Sequence, residues 1–154
     1  MSTDADDTKR HIEAGLAYEA VANRKYVYFA KLARELGDEE VALLFETIAQ
    51  EESAHALAQL TVMYPPGSQT IVDLLRLACE IEGQESDRKY PEFASSARAE
   101  RVSATTAGEI ERLRQAERRF TALATKEAAH SERFAAMLKL RLAEQAHRPA
   151  KAAK

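Results

Sequence analysis

The sequence predicts an all-α protein made of four helices in two related pairs. The chain has 154 residues with only five Gly and four Pro, and Ala, Leu, Glu, Arg and Lys are abundant, as in long helices. Apolar residues recur every three, four or seven positions, which is the spacing of helices that bury one face in a bundle. A pattern of eleven residues that ends in Glu-x-x-His occurs twice, so we expect the second helix pair to repeat the first.

Helix-breaking and capping residues set the limits of the first pair. Helix A is predicted from about residue 4 to residue 36, where Gly37 ends it and Asp38 caps the next helix. Helix B then continues to about residue 63, where a Pro-Pro-Gly-Ser run breaks the chain.

The second pair is bounded in the same way. Helix C begins near Thr70 and reaches about Ala97, and helix D follows a stretch rich in Ser and Thr. These limits predict one domain and a tail: residues 1–147, with helix pairs at about 4–63 and 70–146, and a basic tail at 148–154.

Composition excludes several classes of function. The net charge of -3, with 31% charged residues of both signs, is unlike that of a nucleic-acid-binding domain. Cys79 is the single cysteine, so the chain can form neither an internal disulfide nor a four-cysteine iron centre. The first residues are polar, and no stretch approaches the roughly 18 apolar residues of a membrane span. We therefore expect a cytoplasmic protein that binds neither nucleic acid nor membrane.

The repeat places ionisable groups on faces that should be apolar. Residues three apart on a helix share a face. The Glu and His of each copy therefore lie on the same face as the Phe of that copy, which is Phe45 in the first and Phe120 in the second. Helices A and C also repeat, with Tyr26 matching Tyr90. The upstream Glu lies one residue further from Tyr in helix C, next to Pro91, which predicts a π-bulge or kink there. Between helices C and D the second copy carries an insertion of eleven residues, which is about three helical turns.

Seven inward-facing groups gather at one level of the predicted bundle. A single buried His is more often a satisfied core residue, and a single Glu often pairs with an Arg. The predicted faces lack enough basic residues to pair five carboxylates, and unpaired buried charge is costly. We therefore predict a metal site whose ligands are Glu19, Glu52, His55, Glu82, Glu85, Glu127 and His130.

The ligand types indicate which metals would bind. Glu-x-x-His from two helices with single carboxylates from the others is the arrangement of carboxylate-bridged di-metal bundles. Oxygen-rich ligation with two imidazoles suits two ions of iron or manganese, and zinc can also occupy such a site. Tyr26 and Tyr90 lie on the carboxylate-bearing faces, where each either fills core volume or donates a hydrogen bond that orients a ligating Glu.

These residues resemble the erythrin domain of the rubrerythrin family. The matching stretches are AYEAVANRKYVYFAKLA, LFETIAQEESAH, EGQESDRKYPEFA and FTALATKEAAHSERF, and the pair Glu82 and Glu85 before Y-P-E-F is the most family-specific element. The resemblance implies a ferritin-like four-helix bundle with an oxo- or hydroxo-bridged di-iron site. It also implies that one iron moves between Glu85 and His55 when the redox state changes. These 154 residues contain a single cysteine, so they do not include the four-cysteine rubredoxin module of the family.

The resemblance implies a non-haem di-iron peroxidase that reduces hydrogen peroxide and protects against oxidative stress. Electrons would come from a separate rubredoxin or reductase. An alternative is a ferroxidase or iron-handling protein that uses oxygen, and a third hypothesis is a non-enzymatic protein in which the metal only stabilises the fold.

The short connection between helices B and C has a geometric consequence. In the ferritin-like topology these helices run parallel, so the chain must return about 35 Å, whereas six or seven extended residues reach about 20 to 25 Å. We therefore predict a domain-swapped homodimer, in which helices A and B of one chain complete a bundle with helices C and D of another. The competing arrangement is an up-down-up-down monomer.

Overall fold

The structure is a computed structural model that describes residues 4–147, and it confirms the all-α class. The predicted tail at 148–154 lies outside the described residues. None of the described helices has the length and apolar character that a membrane span requires. In chain order the elements are α1 (Asp4–Glu35), α2 (Glu39–Met63), α3 (Ile71–Gln84), a π segment (Glu85–Lys89), α4 (Tyr90–Ser103) and α5 (Ala107–His147).

The first compact unit, Met1–Gln69, is an antiparallel pair formed by α1 and α2. The chain reverses at Gly37, whose φ of 86° lies in the left-handed region that favours glycine. Asp38 then caps α2, because its side chain accepts a hydrogen bond of 3.0 Å from the Val41 amide. Further along, the Asn23 side chain of α1 donates a 2.6 Å hydrogen bond to the Ala49 carbonyl of α2. These contacts fix the relative position of the two helices.

The second compact unit, Thr70–Lys154, contains α3, the π segment, α4 and α5. Thr70 begins it with a capping box, in which its hydroxyl accepts from the Asp73 amide and Asp73 accepts from the Thr70 amide. The π segment confirms the predicted bulge in helix C. It accommodates the extra residue between Glu82 and Tyr90, so both side chains keep the faces that Glu19 and Tyr26 have in α1.

The insertion of eleven residues lengthens two helices and adds no loop. α4 runs four residues further past Phe93 than α1 runs past Phe29, and α5 begins seven residues further before Phe120 than α2 begins before Phe45. Three residues connect the helices in both pairs. The insertion therefore extends the second pair away from the ligands and leaves the spacing around them unchanged.

Ion pairs join the helices near these connections. Arg34 of α1 binds Glu39 and Glu46 of α2 at 3.0 and 2.6 Å. Arg98 and Arg101 of α4 both bind Glu117 of α5, at 2.7 and 3.2 Å. Hydrogen bonds from Arg98, and then from Arg101, hold the pKa of Glu117 below its usual value of 4.5.

Replacing Glu117 by Gln should lower the Tm by a few degrees at neutral pH. Because the pKa of Glu117 is lower in the folded chain, its contribution to stability is present above pH 4.5 and is lost as pH falls through the folded value. The Tm difference between Glu117→Gln and the parent should therefore shrink below about pH 4.5. Thermal unfolding from pH 3 to 8 measures this. Glu132→Gln, at an exposed residue of α5, is the matched control, and a difference that persists at low pH would contradict the ion-pair account.

Small residues line the interior of both units. In the described part of the chain no large side chain is fully buried, and the buried apolar residues are Ala30, Ala33, Ala42, Ala49, Val72, Ala94 and Ala97. Large apolar side chains remain exposed: Leu44 and Leu57 are 60% exposed, and Met137 and Leu140 are 42% and 50% exposed. Exposed apolar area of this extent is typical of surfaces that bind another protein surface.

Candidate metal centre

The first cluster of ligands lies between α1 and α2. Glu19 comes from α1, and Glu52 and His55 come from successive turns of α2. One oxygen or nitrogen atom from each lies within 4.8 Å of the others. His55 Nδ1 is 3.2 Å from Glu52 Oε2 and 3.5 Å from Glu19 Oε2. Two carboxylates and one imidazole therefore converge on one small volume.

The second cluster reproduces this arrangement in the other unit. Glu82 comes from α3, and Glu127 and His130 come from α5. Their candidate ligand atoms again lie within 4.8 Å of one another. His130 Nδ1 is 2.7 Å from Glu127 Oε2 and 3.4 Å from Glu82 Oε2. The sequence repeat is thus also a repeat of geometry.

An aromatic group supports the ligands in each unit. Tyr26 stacks on Phe45 with ring centroids 5.8 Å apart, and Tyr90 stacks on Phe120 at 6.3 Å. A second Phe packs edge-on in each group, with centroids 5.6 Å apart in the first unit and 5.5 Å apart in the second. These rings fix the faces of the helices from which the glutamates project.

Crowding of the carboxylates shifts their protonation. A hydrogen bond with Glu52 raises the pKa of Glu19, whereas the same bond, together with His55, lowers the pKa of Glu52. In the second unit, burial raises the pKa of Glu82, and the neighbouring Glu127 raises it further. The hydrogen bond to Glu52 raises the pKa of His55. Without a cation, each cluster thus holds protons more readily at one of its carboxylates.

The donor set fits a bound metal. The Oε2 atom of Glu82 is shielded from solvent and accepts no hydrogen bond from the described residues, so a bound cation would satisfy it. Within residues 4–147, no Lys or Arg forms an ion pair with Glu19, Glu52, Glu82 or Glu127. Carboxylate oxygens with a single imidazole are ligands that iron and manganese accept.

Glu85 and the two tyrosines are predicted site residues that do not join the two clusters. Glu85 belongs to neither cluster, and its Oε1 is 3.8 Å from Lys89 Nζ in the π segment. Burial raises the pKa of Tyr90, and the nearby Glu85 charge raises it further. Among the described residues, neither Tyr26 nor Tyr90 donates a hydrogen bond to a carboxylate. The orienting role of the two tyrosines stays a prediction, and so does the binding of a metal by Glu85.

The surroundings of the two clusters are not equivalent. The second cluster opens onto a cavity of about 560 Å³, lined by Leu75, Glu82, His130, Arg133, Phe134 and Met137. At the matching place in the first unit, Gln59 lies so close to Gly15 that a methyl group there would be 3.3 Å from the Gln59 amide nitrogen. Sequence reasoning missed Arg133, although its position three residues after His130 indicates that it lies on the ligand-bearing side of α5.

Sequence comparison finds relatives of this chain among known proteins. A rubrerythrin from Porphyromonas gingivalis is 28% identical over 142 residues, which cover 85% of this chain and 66% of that protein. A nigerythrin from Nitratidesulfovibrio vulgaris is 30% identical over 146 residues, which cover 87% of this chain and 67% of that protein. A symerythrin from Cyanophora paradoxa is 40% identical over 57 residues, which cover 36% of this chain and 32% of that protein. No protein-family model matches the chain.

The chain spans about two thirds of the length of the first two of these relatives. Taken with the all-α fold, these similarities lead to one conclusion: the chain belongs to the rubrerythrin family.

Proposed function

We propose that this protein is a non-haem di-iron peroxidase that reduces hydrogen peroxide with electrons from an external donor and so protects against oxidative stress. The observation that carries the proposal is the pair of matching clusters, each with two carboxylates and one imidazole. Two such clusters supply the six ligands of a carboxylate-bridged di-metal site. Two ferrous ions, when bound, would supply the two electrons that convert one peroxide and two protons into two waters.

The residues of the chain have distinct roles in this proposal. Together, the two clusters would hold both metals, with Glu19, Glu52 and His55 from one and Glu82, Glu127 and His130 from the other. Without a metal the pKa values of Glu19 and Glu82 are raised, so both glutamates would release any bound proton when they bind the ions. Tyr26 and Tyr90 orient the glutamates once both units contribute to the site.

Glu85 and His55 give the proposed site two alternative ligands for one iron. Glu85 lies in the π segment, outside the second cluster, and is ion-paired with Lys89. A carboxylate held next to the ligands, and outside them, can enter the ligand set when iron is oxidised, while His55 leaves it. The family resemblance suggests this exchange, which favours peroxide over oxygen as the oxidant.

Oxygen-driven oxidation of iron is the second candidate function. The observation that favours it is the position of Glu85, since six ligands without Glu85 suffice for a ferroxidase. Manganese or zinc would bind the same six ligands without supplying this redox chemistry.

Stopped-flow oxidation of the di-ferrous protein distinguishes the two functions. We expect peroxide to oxidise the site faster than oxygen does, and Glu85→Gln to slow the peroxide reaction by about tenfold, the lower end of the effect expected from groups that tune a metal's ligands. Glu92→Gln, at an exposed residue seven positions later, is the matched control. A faster reaction with oxygen than with peroxide would favour the ferroxidase.

Electrons for repeated turnover would come from a separate protein, a rubredoxin or a reductase. The single Cys79 cannot ligate an iron centre that carries electrons to the site. Peroxide consumption with reduced rubredoxin, compared with consumption with a flavin reductase alone, identifies the donor class.

We further propose that the working form is a domain-swapped homodimer. Seven residues, 64–70, connect α2 to α3, and an extended connection of that length reaches about 25 Å. In a ferritin-like bundle the return path is about 35 Å. Light scattering at micromolar concentration should therefore give twice the chain mass of 17.1 kDa, and a monomer would contradict the swapped arrangement.

A further inference from the structure

An ion pair joins the first and last residues of the π segment. Lys89 Nζ lies 3.8 Å from Glu85 Oε1, and the two side chains are 43% and 30% exposed. The Tyr90 amide donates a hydrogen bond to the Glu85 carbonyl, five residues earlier, which is the bond of a π turn. Single π turns inside α-helices occur frequently at functional sites. We call the contact between Glu85 and Lys89 the π-segment pair.

The π-segment pair attracts Glu85 without fixing it. The two charged atoms are further apart than the roughly 2.7 to 3.2 Å of a hydrogen bond, so the attraction between them is electrostatic. Ion pairs with this much solvent exposure change an equilibrium by no more than about fivefold. Lys89 can therefore bias the position of the Glu85 carboxylate, and a more strongly charged cation can still take that carboxylate away.

Glu85 lies beside the second cluster although it is not part of it. Burial raises the pKa of the Tyr90 phenol. The charges of three nearby glutamates raise this pKa further: Glu85, Glu127 and Glu82. One phenol is therefore close to Glu85 and also to two carboxylates of the cluster. Glu85 thus has two cations within its surroundings when a metal is bound, the Lys89 ammonium and the metal.

The internal repeat shows what is particular to Lys89. The tripeptide Arg-Lys-Tyr occurs in both copies, so Lys25 of α1 matches Lys89. Four residues before Lys25 the chain has the apolar Val21, where the second copy has Glu85. Lys25 is exposed and forms no ion pair with any residue that the structure describes. The two matching lysines therefore differ in the candidate metal ligand that Lys89 contacts.

We propose that Lys89 is a positioning residue, which keeps Glu85 out of the ligand set while the iron is ferrous and thereby raises the reduction potential of the site. This inference rests on the di-iron site and the ligand exchange proposed above. In the reduced protein Glu85 stays paired with Lys89. After oxidation Glu85 leaves Lys89, because ferric iron attracts the carboxylate more strongly than a single ammonium charge does. The π-segment pair therefore stabilises the reduced state alone.

A double-mutant cycle on the iron-loaded protein tests the proposal. Lys89→Gln removes the π-segment pair, so the reduced state loses its stabilisation. We expect the midpoint potential to fall by an amount equal to about fivefold in the redox equilibrium, or about 40 mV for a one-electron step. In a Glu85→Gln chain the same replacement should lower the potential by less than half as much, because no carboxylate is held there. Redox titration followed by the absorption of the ferric site measures all four potentials.

Two further variants separate the ion pair from the effect of charge alone. Lys89→Arg keeps a cation opposite Glu85, so its potential should stay close to that of the parent protein. Lys25→Gln removes the same charge at the matching position of the first unit, where the residue four positions earlier is Val21. Its shift should be no larger than the one that Lys89→Gln causes in the Glu85→Gln chain. Lys and Gln are similarly good helix formers, so the Tm of each variant should match that of the parent.

Each outcome decides between the inference and the proposed function. An unchanged potential in Lys89→Gln would overturn the inference, as would an equal shift with and without the Glu85 carboxylate. If Glu85→Gln changes the potential and Lys89→Gln does not, the ligand exchange stands and the role of Lys89 is wrong. If the cycle shows coupling but oxygen oxidises the di-ferrous site faster than peroxide does, the proposed peroxidase activity is wrong and the role of Lys89 stands.

Discussion

Chelating the metal from the loaded protein should lower its Tm by about 8 to 16 °C. The clustered carboxylates bind metal only in the folded chain, and a ligand at a thousand times its Kd stabilises a fold by about 4 kcal/mol. For a chain of this size each kcal/mol shifts the Tm by about 2 to 4 °C. Differential scanning calorimetry before and after chelation, and after iron is restored, measures the shift.

A double variant serves as the control for chelation. Glu52→Ala with Glu127→Ala removes one carboxylate from each cluster, so chelation should leave its Tm unchanged. If chelation also fails to change the Tm of the parent protein, the clusters do not hold a stabilising metal.

Replacing a single clustered glutamate should almost abolish peroxide reduction. We expect Glu127→Ala to lower the rate of di-ferrous oxidation by more than about 100-fold, because loss of a ligand exceeds the 10- to 100-fold effect of losing a supporting hydrogen bond. Iron content should fall as well, since the cluster keeps only one carboxylate and one imidazole. Stopped-flow absorption and iron analysis on the same sample measure both effects.

The repeat supplies a comparison for this variant. Glu52→Ala removes the equivalent ligand of the first cluster and should have an effect of similar size. Glu132→Ala, at an exposed residue of α5, should have none. An active Glu127→Ala protein with full iron content would exclude the second cluster as part of the site.

Local features of the fold could be predicted because local residues determine them. Gly37 and Asp38 define the first reversal, and Thr70 caps α3, as their backbone preferences require. The spacing between Glu82 and Tyr90 predicted the π segment, because one extra residue must be absorbed if both side chains are to keep their faces. The three-residue spacing predicted that Glu52 lies beside His55 and that Glu127 lies beside His130.

Other features depend on contacts that spacing does not reveal. Glu85 shares the helix of Glu82, yet the altered winding of the π segment places it next to Lys89 and outside the cluster. The cavity beside His130 depends on side-chain volumes from two helices, so the three-residue spacing from His130 did not reveal that Arg133 lines a cavity. The eleven-residue insertion fits either a loop or longer helices, and only helix lengths in three dimensions decide between them.

The alanines buried between α1 and α2 bear on the spacing of the first cluster. Ala30, Ala42 and Ala49 occupy the helix contact, and such small side chains let two helix axes approach to the short end of the usual 8 to 10 Å range. Glu19 projects from one of these helices, and Glu52 with His55 from the other, so we expect the separation of the helices to set the distance between these ligands. A larger residue in place of one of the alanines should therefore change the spacing of the cluster while leaving every ligand in place.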